Sequence, residues 1–342
     1  MQLNTFTLKL PLAHPFTISR GTMTEQSSLI VQLHSDGISG WGEVTQNRYY
    51  NRTVQSLAQS VEKAKSILPL ILGQSPETTW PMLMELLDGD TFAVSAIDNA
   101  AHDWHARKNG VPTWKYWGLN WNPAVKSSYT IAIDSIEKML AKLNERPNWP
   151  IYKIKLGTKD DLSIVRSLRQ ATQATFRVDA NCGWSAQQTI DLSHELKELN
   201  VEFIEQPLPR EANDSDQERV FAQSALPIIA DESCQTEGDV TTCLGRFHGI
   251  NVKICKCGGL TPALRMLIQA KSKGIKTMVG CMVESSIGIS AAAQLLPLLD
   301  FADLDGSALL ASDPTEGVSV TDGLISLRNE NGHGCRLPDG HA

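Results

Sequence analysis

Three carboxylates recur at equal intervals in the middle of the chain, each at the end of an apolar, β-branched run. Asp179 ends the run TFRVD, Glu205 ends VEFIE, and Asp231 follows LPIIA, so that 26 residues separate each from the next. Like charges that converge on one place repel one another unless a cation lies between them. An all-oxygen set of ligands suits Mg²⁺. The spacing therefore predicts a magnesium site, with separate helix caps or ion pairs to lysine as the alternative.

Lysines lie at the ends of similar runs on both sides of these carboxylates. Lys153 and Lys155 share one face of the run IYKIK, because alternate residues of a strand point the same way, and Lys253 follows GINV. Two opposed amines could remove a proton from one face of a carbon and return one to the other face. Lys153 and Lys155 are two cations two residues apart, and near Mg²⁺ this should lower the lysine pKa and leave a usable base. The pattern favours racemisation or epimerisation beside a carboxylate, with Mg²⁺ taking up the charge of the enediolate. Lysines that merely neutralise the carboxylates, or form a Schiff base, are the alternatives.

Eight short β-rich runs position these side chains. They are centred near residues 130, 154, 178, 204, 229, 252, 279 and 303, in steps of about 25 residues. Such a step accommodates a strand, a helix and two loops. Because the polar residues lie at the carboxyl ends of the runs, where a parallel barrel carries its working residues, residues 119–314 are predicted to form a closed barrel. An open, doubly wound sheet is the alternative.

The flanking segments show other patterns. Residues 1–118 read as a small α+β domain with an antiparallel sheet, a loop of about fourteen residues around HPFTISRGTMTE, and helices opening at Thr53 and covering 81–87 and 92–108. The helix that follows GINVKIC is predicted to be capped by Thr261. Residues 315–342 are expected to return to the N-terminal domain through the alternating stretch VSVTDGLISL.

The net charge and the cysteine content limit which partners and which cellular compartment are expected for the protein. A net charge of -7 without a basic stripe argues against nucleic acid and anionic membranes, and favours a small molecule. Seven scattered cysteines and an N-terminus without a signal pattern lead us to expect reduced thiols in the cytoplasm. No apolar stretch approaches the length of a membrane span. A homo-oligomer is left open.

The motifs KIK, VDAN, EQP, ADES and NVK at the strand ends resemble the enolase superfamily, in its muconate-lactonising subgroup. The resemblance covers essentially the whole chain. It implies an α/β fold in which an α+β capping domain covers a modified TIM barrel, (β/α)7β, and it implies Mg²⁺ on the three carboxylates. It further implies Lys155 and Lys253 as the acid/base pair, with Lys153 tuning Lys155 and touching the substrate carboxylate.

Residues of the last strand resemble one particular class of enzymes within this superfamily. Asp303 and Asp305 in FADLDG resemble the Asp-x-Asp pair of the dipeptide epimerases, which holds the ammonium of the N-terminal residue. Two carboxylates on one strand face complement a free amine. The implied reaction inverts the α-carbon of the C-terminal residue of a dipeptide, L-Ala-D/L-Glu or a related L-Ala-X. The alternatives are N-acylamino-acid racemase, o-succinylbenzoate synthase, muconate cycloisomerase and a catalytically inactive homologue that binds metal or peptide.

Further substrate contacts are expected from loops and strand ends. The candidates are Arg20, Tyr50, Asn181, Cys281 and Met282. The second loop reads TQNRYYNR and departs from the version in enzymes for acidic dipeptides, which leaves hydrophobic and D-Ala-containing dipeptides open. Glu284 is expected to cap the helix after residue 285, with contact to the substrate as the alternative.

Overall fold

The computed structural model describes residues 1–18, 21–122 and 124–338, so the predicted substrate contact Arg20 lies outside the described residues. The first part of the chain forms an antiparallel sheet in the order β1-β2-β3, from β1 (Gln2–Ile18), β2 (Gly21–Ser35) and β3 (Ile38–Thr45). Asp36 and Gly37 turn the chain between the last two strands with φ of 55° and 75°. This confirms the antiparallel sheet that alternation predicts.

The predicted long loop between the first two strands is wrong. The two strands continue through it with a register shift between Pro11 and Phe16, and pair again up to Ile18 and Gly21. The hydroxyls of Thr17 and Thr22 lie 2.9 Å apart across the hairpin. Threonine and phenylalanine favour extended backbone, and cross-strand pairing outweighs the polar composition on which the loop was predicted.

Five helices follow the sheet: α1 (Val54–Lys63), α2 (Leu68–Gly73), α3 (Pro76–Leu86), α4 (Thr91–Lys108) and α5 (Thr113–Tyr116). Thr53 caps α1 as predicted, because its hydroxyl accepts a hydrogen bond from the Ser56 amide at 3.1 Å. The predicted start of the second helix is wrong, since α3 begins at Pro76 and contains Pro81. The long helix α4 packs on β3, where an added Cβ at Gly42 would lie 2.0 Å from the Ala96 carbonyl oxygen.

Strands and helices then alternate through the rest of the chain. Their bounds are β4 (Tyr129–Ile131), α6 (Ile136–Glu145), β5 (Ile151–Lys155), α7 (Asp161–Ala171), β6 (Thr175–Asp179), α8 (Ala186–Glu198), β7 (Val201–Glu205), α9 (Asp214–Gln223), β8 (Ile228–Ala230), α10 (Glu237–Thr242), β9 (Gly249–Val252), α11 (Ile254–Cys257), α12 (Leu260–Ser272), β10 (Lys276–Gly280), α13 (Ser286–Ala293) and β11 (Phe301–Asp303). All eight strands were predicted. The predicted cap of α12 is wrong, because Gly259 is the N-cap and the Thr261 hydroxyl donates to Asp98 at 2.7 Å.

The eight strands form a parallel barrel. Their order, β4 to β11, follows the sequence, which excludes the doubly wound alternative. The first and last strands meet where the Ser128 amide donates to the Ala302 carbonyl at 3.2 Å. Apolar side chains between the strands and the surrounding helices form the largest core cluster. The carboxyl ends of all eight strands therefore face one side, as the predicted site requires.

Among the described residues, the last regular element is a hairpin of β12 (Ser319–Thr321) and β13 (Leu324–Ser326). Beyond it, the His333 amide donates to Asp103 of α4 at 2.6 Å, and Gly332 pairs with Pro112. The C-terminal segment thus contacts the N-terminal helices. The domain boundaries after residues 118 and 314 stay a prediction. No helix in the described parts of the chain is long and apolar enough to cross a membrane.

Candidate active site

The three carboxylates lie on adjacent strands at the barrel mouth. Strand register places Lys155 beside Asp179 and Asp179 beside Glu205, and Asp231 follows the next strand directly. All three carboxylates are buried, with at most 1% of their surface exposed. Buried anions need compensating charge or hydrogen bonds. The surrounding lysines provide part of it.

Lys153 lies at the centre of these contacts. Its Nζ is 2.8 Å from Glu205 Oε2, 3.2 Å from Asp179 Oδ2 and 2.8 Å from Asp303 Oδ2. Lys155 Nζ donates to Asp179 Oδ2 at 2.7 Å. Burial alone would raise the pKa of Asp179, but the ammonium groups of Lys155 and Lys153 outweigh it and hold that pKa well below its usual range. Asp179 is therefore an anion at neutral pH.

Lys253 approaches from the other side of the three carboxylate-bearing strands. It follows β9 directly, and its Nζ donates to Asp231 Oδ2 at 2.9 Å. Lys256 donates to the other oxygen of Asp231 at 2.7 Å. Burial opposes the charge of Asp231, yet Lys253 and Lys256 hold its pKa well below the usual range. Strands β6, β7 and β8 thus separate Lys155 from Lys253, as the sequence predicts.

Carboxylates raise the pKa of two lysines of the site, Lys153 and Lys253, and the lowering expected near Mg²⁺ stays a prediction. Burial lowers the pKa of Lys153 and of Lys253, but neighbouring carboxylates more than reverse the effect and raise both values. For Lys153 the carboxylates are Asp303, Glu205 and Asp179, and for Lys253 Asp231 contributes most. The reason is that anions surround the lysines more closely than other cations do.

Glu205 shows that the site fits a divalent cation. Its Oε1 accepts a hydrogen bond from Asn251 Nδ2 at 2.9 Å, while Oε2 has no hydrogen-bond partner among the described residues. The ammonium of Lys153 lies near Oε2, but without hydrogen-bond geometry. Burial, together with the charge of Asp179, raises the pKa of Glu205 to about 7. A buried, hydrogen-bond-free carboxylate oxygen between two other carboxylates is a donor set suited to Mg²⁺.

Asp303 and Asp305 lie at the end of the last strand, on the side of Lys153. Asp303 Oδ1 accepts a hydrogen bond from Ser128 Oγ at 2.6 Å, and Asp305 Oδ2 accepts one from the Thr130 amide at 2.6 Å. Burial and the charge of Asp303 raise the pKa of Asp305 to about 7. The pair therefore carries more negative charge than its direct partners compensate, as a cation-binding site requires. The Cys281 thiol lies 3.9 Å from Asp305 Oδ1.

The loops after β6 and β7 contain residues with an unusual backbone conformation. Asn181, Cys182 and Gln206 have positive φ angles of 45°, 65° and 33°, values that cost energy for residues other than glycine and cluster at functional sites. Asn181 Oδ1 is buried without a hydrogen-bond partner among the described residues. Gln206 Oε1 accepts from the Asp231 amide at 2.9 Å, so it fixes the backbone of that residue.

The second loop of the N-terminal region reaches the barrel mouth. The Tyr50 ring lies 5.7 Å from Lys256 Nζ and packs on Phe92 at 5.2 Å. Asn47 Nδ2 approaches the sulfur of Met282 at 3.9 Å. Tyr50 and Met282 are thus brought to the predicted site.

The predicted helix cap by Glu284 is wrong. Ser285 is the N-cap of α13, and Glu43 from β3 accepts from the Ser285 amide at 3.0 Å and from the Gly288 amide at 2.8 Å. Glu284 Oε1 accepts instead from the Met282 amide at 3.0 Å. Burial and the charge of Glu43 raise the pKa of Glu284 to about 8. Glu43 thus links the N-terminal sheet to the loop that carries Cys281 and Met282.

Sequence reasoning missed four residues that hold the site: Ser128, Gln206, Asn251 and Lys256. Asn251 is the first residue of the motif NVK and Gln206 stands within EQP, so these motifs contained the signal, whereas Lys256 lies three residues beyond NVK. The side chain of Asn251 also explains why residue 280 is a glycine, because a Cβ added at Gly280 would lie 2.8 Å from the side-chain amide of Asn251. Ser128 had no signal beyond its place before the first barrel strand.

Two family profiles match the chain. Residues 2–118 match the mandelate racemase / muconate lactonizing enzyme N-terminal domain, and residues 135–340 match the enolase C-terminal domain-like family. The chain therefore belongs to the enolase superfamily, in its mandelate racemase / muconate lactonizing enzyme group. The family resemblance inferred from the strand-end motifs is confirmed.

Individual relatives are similar over nearly the full length. An L-Ala-D/L-amino acid epimerase of Flavobacterium johnsoniae is 51% identical over 96% of this chain and 97% of its own. One of the same name from Maribacter sp. is 47% identical over 98% and 99%. A dipeptide epimerase of Cytophaga hutchinsonii, complexed with Mg and D-Ala-L-Val, superposes with a TM-score of 0.91 at 25% identity and covers 99% of this chain and 96% of its own.

Proposed function

We propose that this protein is a Mg²⁺-dependent dipeptide epimerase, an isomerase that inverts the α-carbon of the C-terminal residue. The observation that carries the proposal is the placement of Lys155 and Lys253 on opposite sides of the carboxylates Asp179, Glu205 and Asp231. A catalytically inactive homologue that only binds a metal needs no pair of opposed lysines. Relatives at 51% and 47% identity are epimerases of L-Ala dipeptides by name.

Some residues of the site are proposed to bind the metal and the substrate, and others to transfer protons. Asp179, Glu205 and Asp231 would hold Mg²⁺, which supplies a Lewis acid that stabilises negative charge on the substrate carboxylate. In the proposed reaction, Lys155 or Lys253, in its neutral form, takes the α-proton from one face. The opposite lysine, as an ammonium, gives a proton to the other face, and the centre is inverted. Lys153 is proposed to contact the substrate carboxylate.

The proposed substrate is a dipeptide because of the aspartate pair after the last strand. A free ammonium would find two buried carboxylates, Asp303 and Asp305, close enough to Lys153 to place the peptide across the barrel mouth. An N-acylated amino acid has no ammonium, so the racemase alternative leaves this pair without a role. Because the second loop, TQNRYYNR, departs from the version in enzymes for acidic dipeptides, L-Ala-X substrates with apolar as well as acidic side chains are proposed. Asn181, Cys281, Met282 and the predicted Arg20 are proposed to complete the pocket.

Proton NMR in D₂O tests the proposal. L-Ala-L-Glu, L-Ala-L-Phe and D-Ala-D-Ala are incubated with the enzyme, with and without Mg²⁺. We expect Mg²⁺-dependent deuteration and inversion at the C-terminal α-carbon of at least one L-Ala dipeptide. If an N-succinyl amino acid exchanges and no dipeptide does, the protein is a racemase of N-acylated amino acids instead.

A matched pair of variants separates the metal site from the substrate site. Asp179→Asn should abolish exchange, because it removes a buried anion from the metal ligands. Asp303→Asn should weaken recognition of the dipeptide while leaving exchange measurable at high substrate concentration. Equal tolerance of the two substitutions would contradict the assigned roles.

We also propose that the protein works in the cytoplasm. No disulfide joins cysteines in the described parts of the chain, which supports a reducing compartment. Fractionation of the source cells tests the location, and light scattering of the purified protein tests the association of chains.

A further inference from the structure

A second group of candidate metal ligands lies away from the barrel mouth. Asp103 of α4 meets His333 and Cys335 of the C-terminal segment, and one ligand atom from each lies within 4.8 Å of the other two. All three side chains are buried, at 0%, 1% and 1% exposure. Carboxylate, imidazole and thiol differ from the all-oxygen set of the barrel, so this group would select a different ion.

The side chain of His333 gives an independent indication that this group of residues binds a ligand. Neither Nδ1 nor Nε2 of its buried ring has a hydrogen-bond partner within the described ranges of the chain. An unsatisfied buried polar group costs about 1–3 kcal/mol, and such groups call for a bound water or ion. Burial, together with the charge of Arg107, lowers the pKa of His333 to about 3, so the ring is neutral, as a metal ligand must be.

Asp103 keeps an oxygen with spare capacity. Its Oδ1 accepts from Arg107 Nε at 2.9 Å and from the His333 amide, whereas Oδ2 accepts a single hydrogen bond, from the Trp41 amide at 2.8 Å. The Arg107 guanidinium already neutralises this carboxylate and opposes a second cation. An ion would therefore need the negative charge of a thiolate at Cys335.

We propose that Asp103, His333 and Cys335 bind Zn²⁺ and thereby fasten the C-terminal segment to α4. Zinc accepts thiolate, imidazole and carboxylate together, whereas Mg²⁺ prefers oxygen alone. Binding converts the Cys335 thiol to a thiolate and releases its proton to solvent, with no change in oxidation state. Three protein ligands leave the fourth zinc position for a water molecule. His333 and Cys335 are two residues apart, so the segment closes a short chelate against the helix.

The full-length protein tests the proposal directly. It is purified without chelators, dialysed with excess Mg²⁺, and its zinc content is measured by mass spectrometry. We expect stoichiometric zinc in the wild type and its loss in Cys335→Ser. Cys243→Ser is the matched control, because Cys243 is a buried thiol at the end of α10; it should retain the metal. Replacement of zinc by Co²⁺ should give a thiolate-to-cobalt charge-transfer band that Cys335→Ser lacks.

A second variant covers the case in which Cys335→Ser fails to fold. His333→Gln keeps a polar side chain of similar length and should lower the affinity for Zn²⁺ at least tenfold, while circular dichroism stays that of the wild type. Removal of zinc should lower the melting temperature of the wild type and leave that of His333→Gln unchanged. Wild-type protein that holds no more zinc than Cys335→Ser, or a Co²⁺ form without the band, would overturn the proposal.

Discussion

At Asp303, the proposed binding of the substrate ammonium can be tested separately from proton transfer. Its Oδ2 accepts from Lys153 at 2.8 Å and its Oδ1 from Ser128 at 2.6 Å. Asp303→Asn keeps the shape and removes the charge. Hydrogen bonds to charged groups contribute about 1.5–3 kcal/mol. At about 1.36 kcal/mol per factor of ten, kcat/KM for a free dipeptide should fall roughly 10- to 150-fold.

Most of this loss should appear as a higher KM. In the proposed complex the ammonium lies away from the reacting carbon, so we expect its contact to be equal in the ground state and the transition state. Asp305 limits the loss, because the charge of Asp303 is what raises the pKa of Asp305 beyond the effect of burial. Once that charge is removed, Asp305 ionises more fully at neutral pH and keeps one anion for the ammonium.

The assay compares a free dipeptide with its N-acetyl derivative, by α-proton exchange in D₂O at saturating Mg²⁺. The wild type should prefer the free dipeptide, and Asp303→Asn should lose most of that preference. Ser128→Ala is the control, since it removes a partner of Asp303 and leaves the charge. A variant that slows both substrates by the same factor would show that Asp303 acts through Lys153 and not on the ammonium, which would refute the reasoning.

Two further predictions follow from the lysines and from Glu284. Epimerisation should fall by roughly 10²- to 10⁴-fold in each of the variants Lys155→Ala and Lys253→Ala. One variant should still exchange the α-proton of the L epimer, and the other should still exchange that of the D epimer. Loss of both exchanges in each variant would contradict the two-base assignment. Glu284 has a folded-state pKa of about 8, above its usual 4.5, so its contribution to stability is present below about pH 4.5 and is lost as the pH rises through about 8. Glu284→Gln should therefore raise the melting temperature relative to the wild type more at pH 9 than at pH 5, and a difference independent of pH would show that Glu284 does not titrate there.

The barrel and its ionisable residues were predictable because both follow short-range rules. Equal steps along the chain predict strand and helix units, and alternation within a strand predicts which side chains share a face. Lys153, Asp179 and Glu205 are therefore found from the sequence without knowledge of the distant contacts that they make.

The remaining features depend on contacts between distant parts of the chain. Glu43 binds the Ser285 amide across 242 residues, and no local pattern at either position indicates the contact. The extended hairpin of β1 and β2 was missed for a related reason, since its stability comes from cross-strand pairs and not from apolar alternation. The direction of a lysine pKa shift likewise depends on how many anions surround the amine, which is a property of the assembled site.

Lys153 connects the two halves of the proposed site. One ammonium contacts Asp179 and Glu205, which are proposed to bind Mg²⁺, and also Asp303 of the pair proposed to bind the substrate ammonium. A divalent cation on the first two carboxylates would compete with Lys153 for their charge, and a substrate ammonium on Asp303 would compete with it there. Both events release Lys153 toward the remaining anion of the complex, which is the substrate carboxylate. The charge balance of the buried site therefore favours binding of the metal and the dipeptide together over binding of either alone.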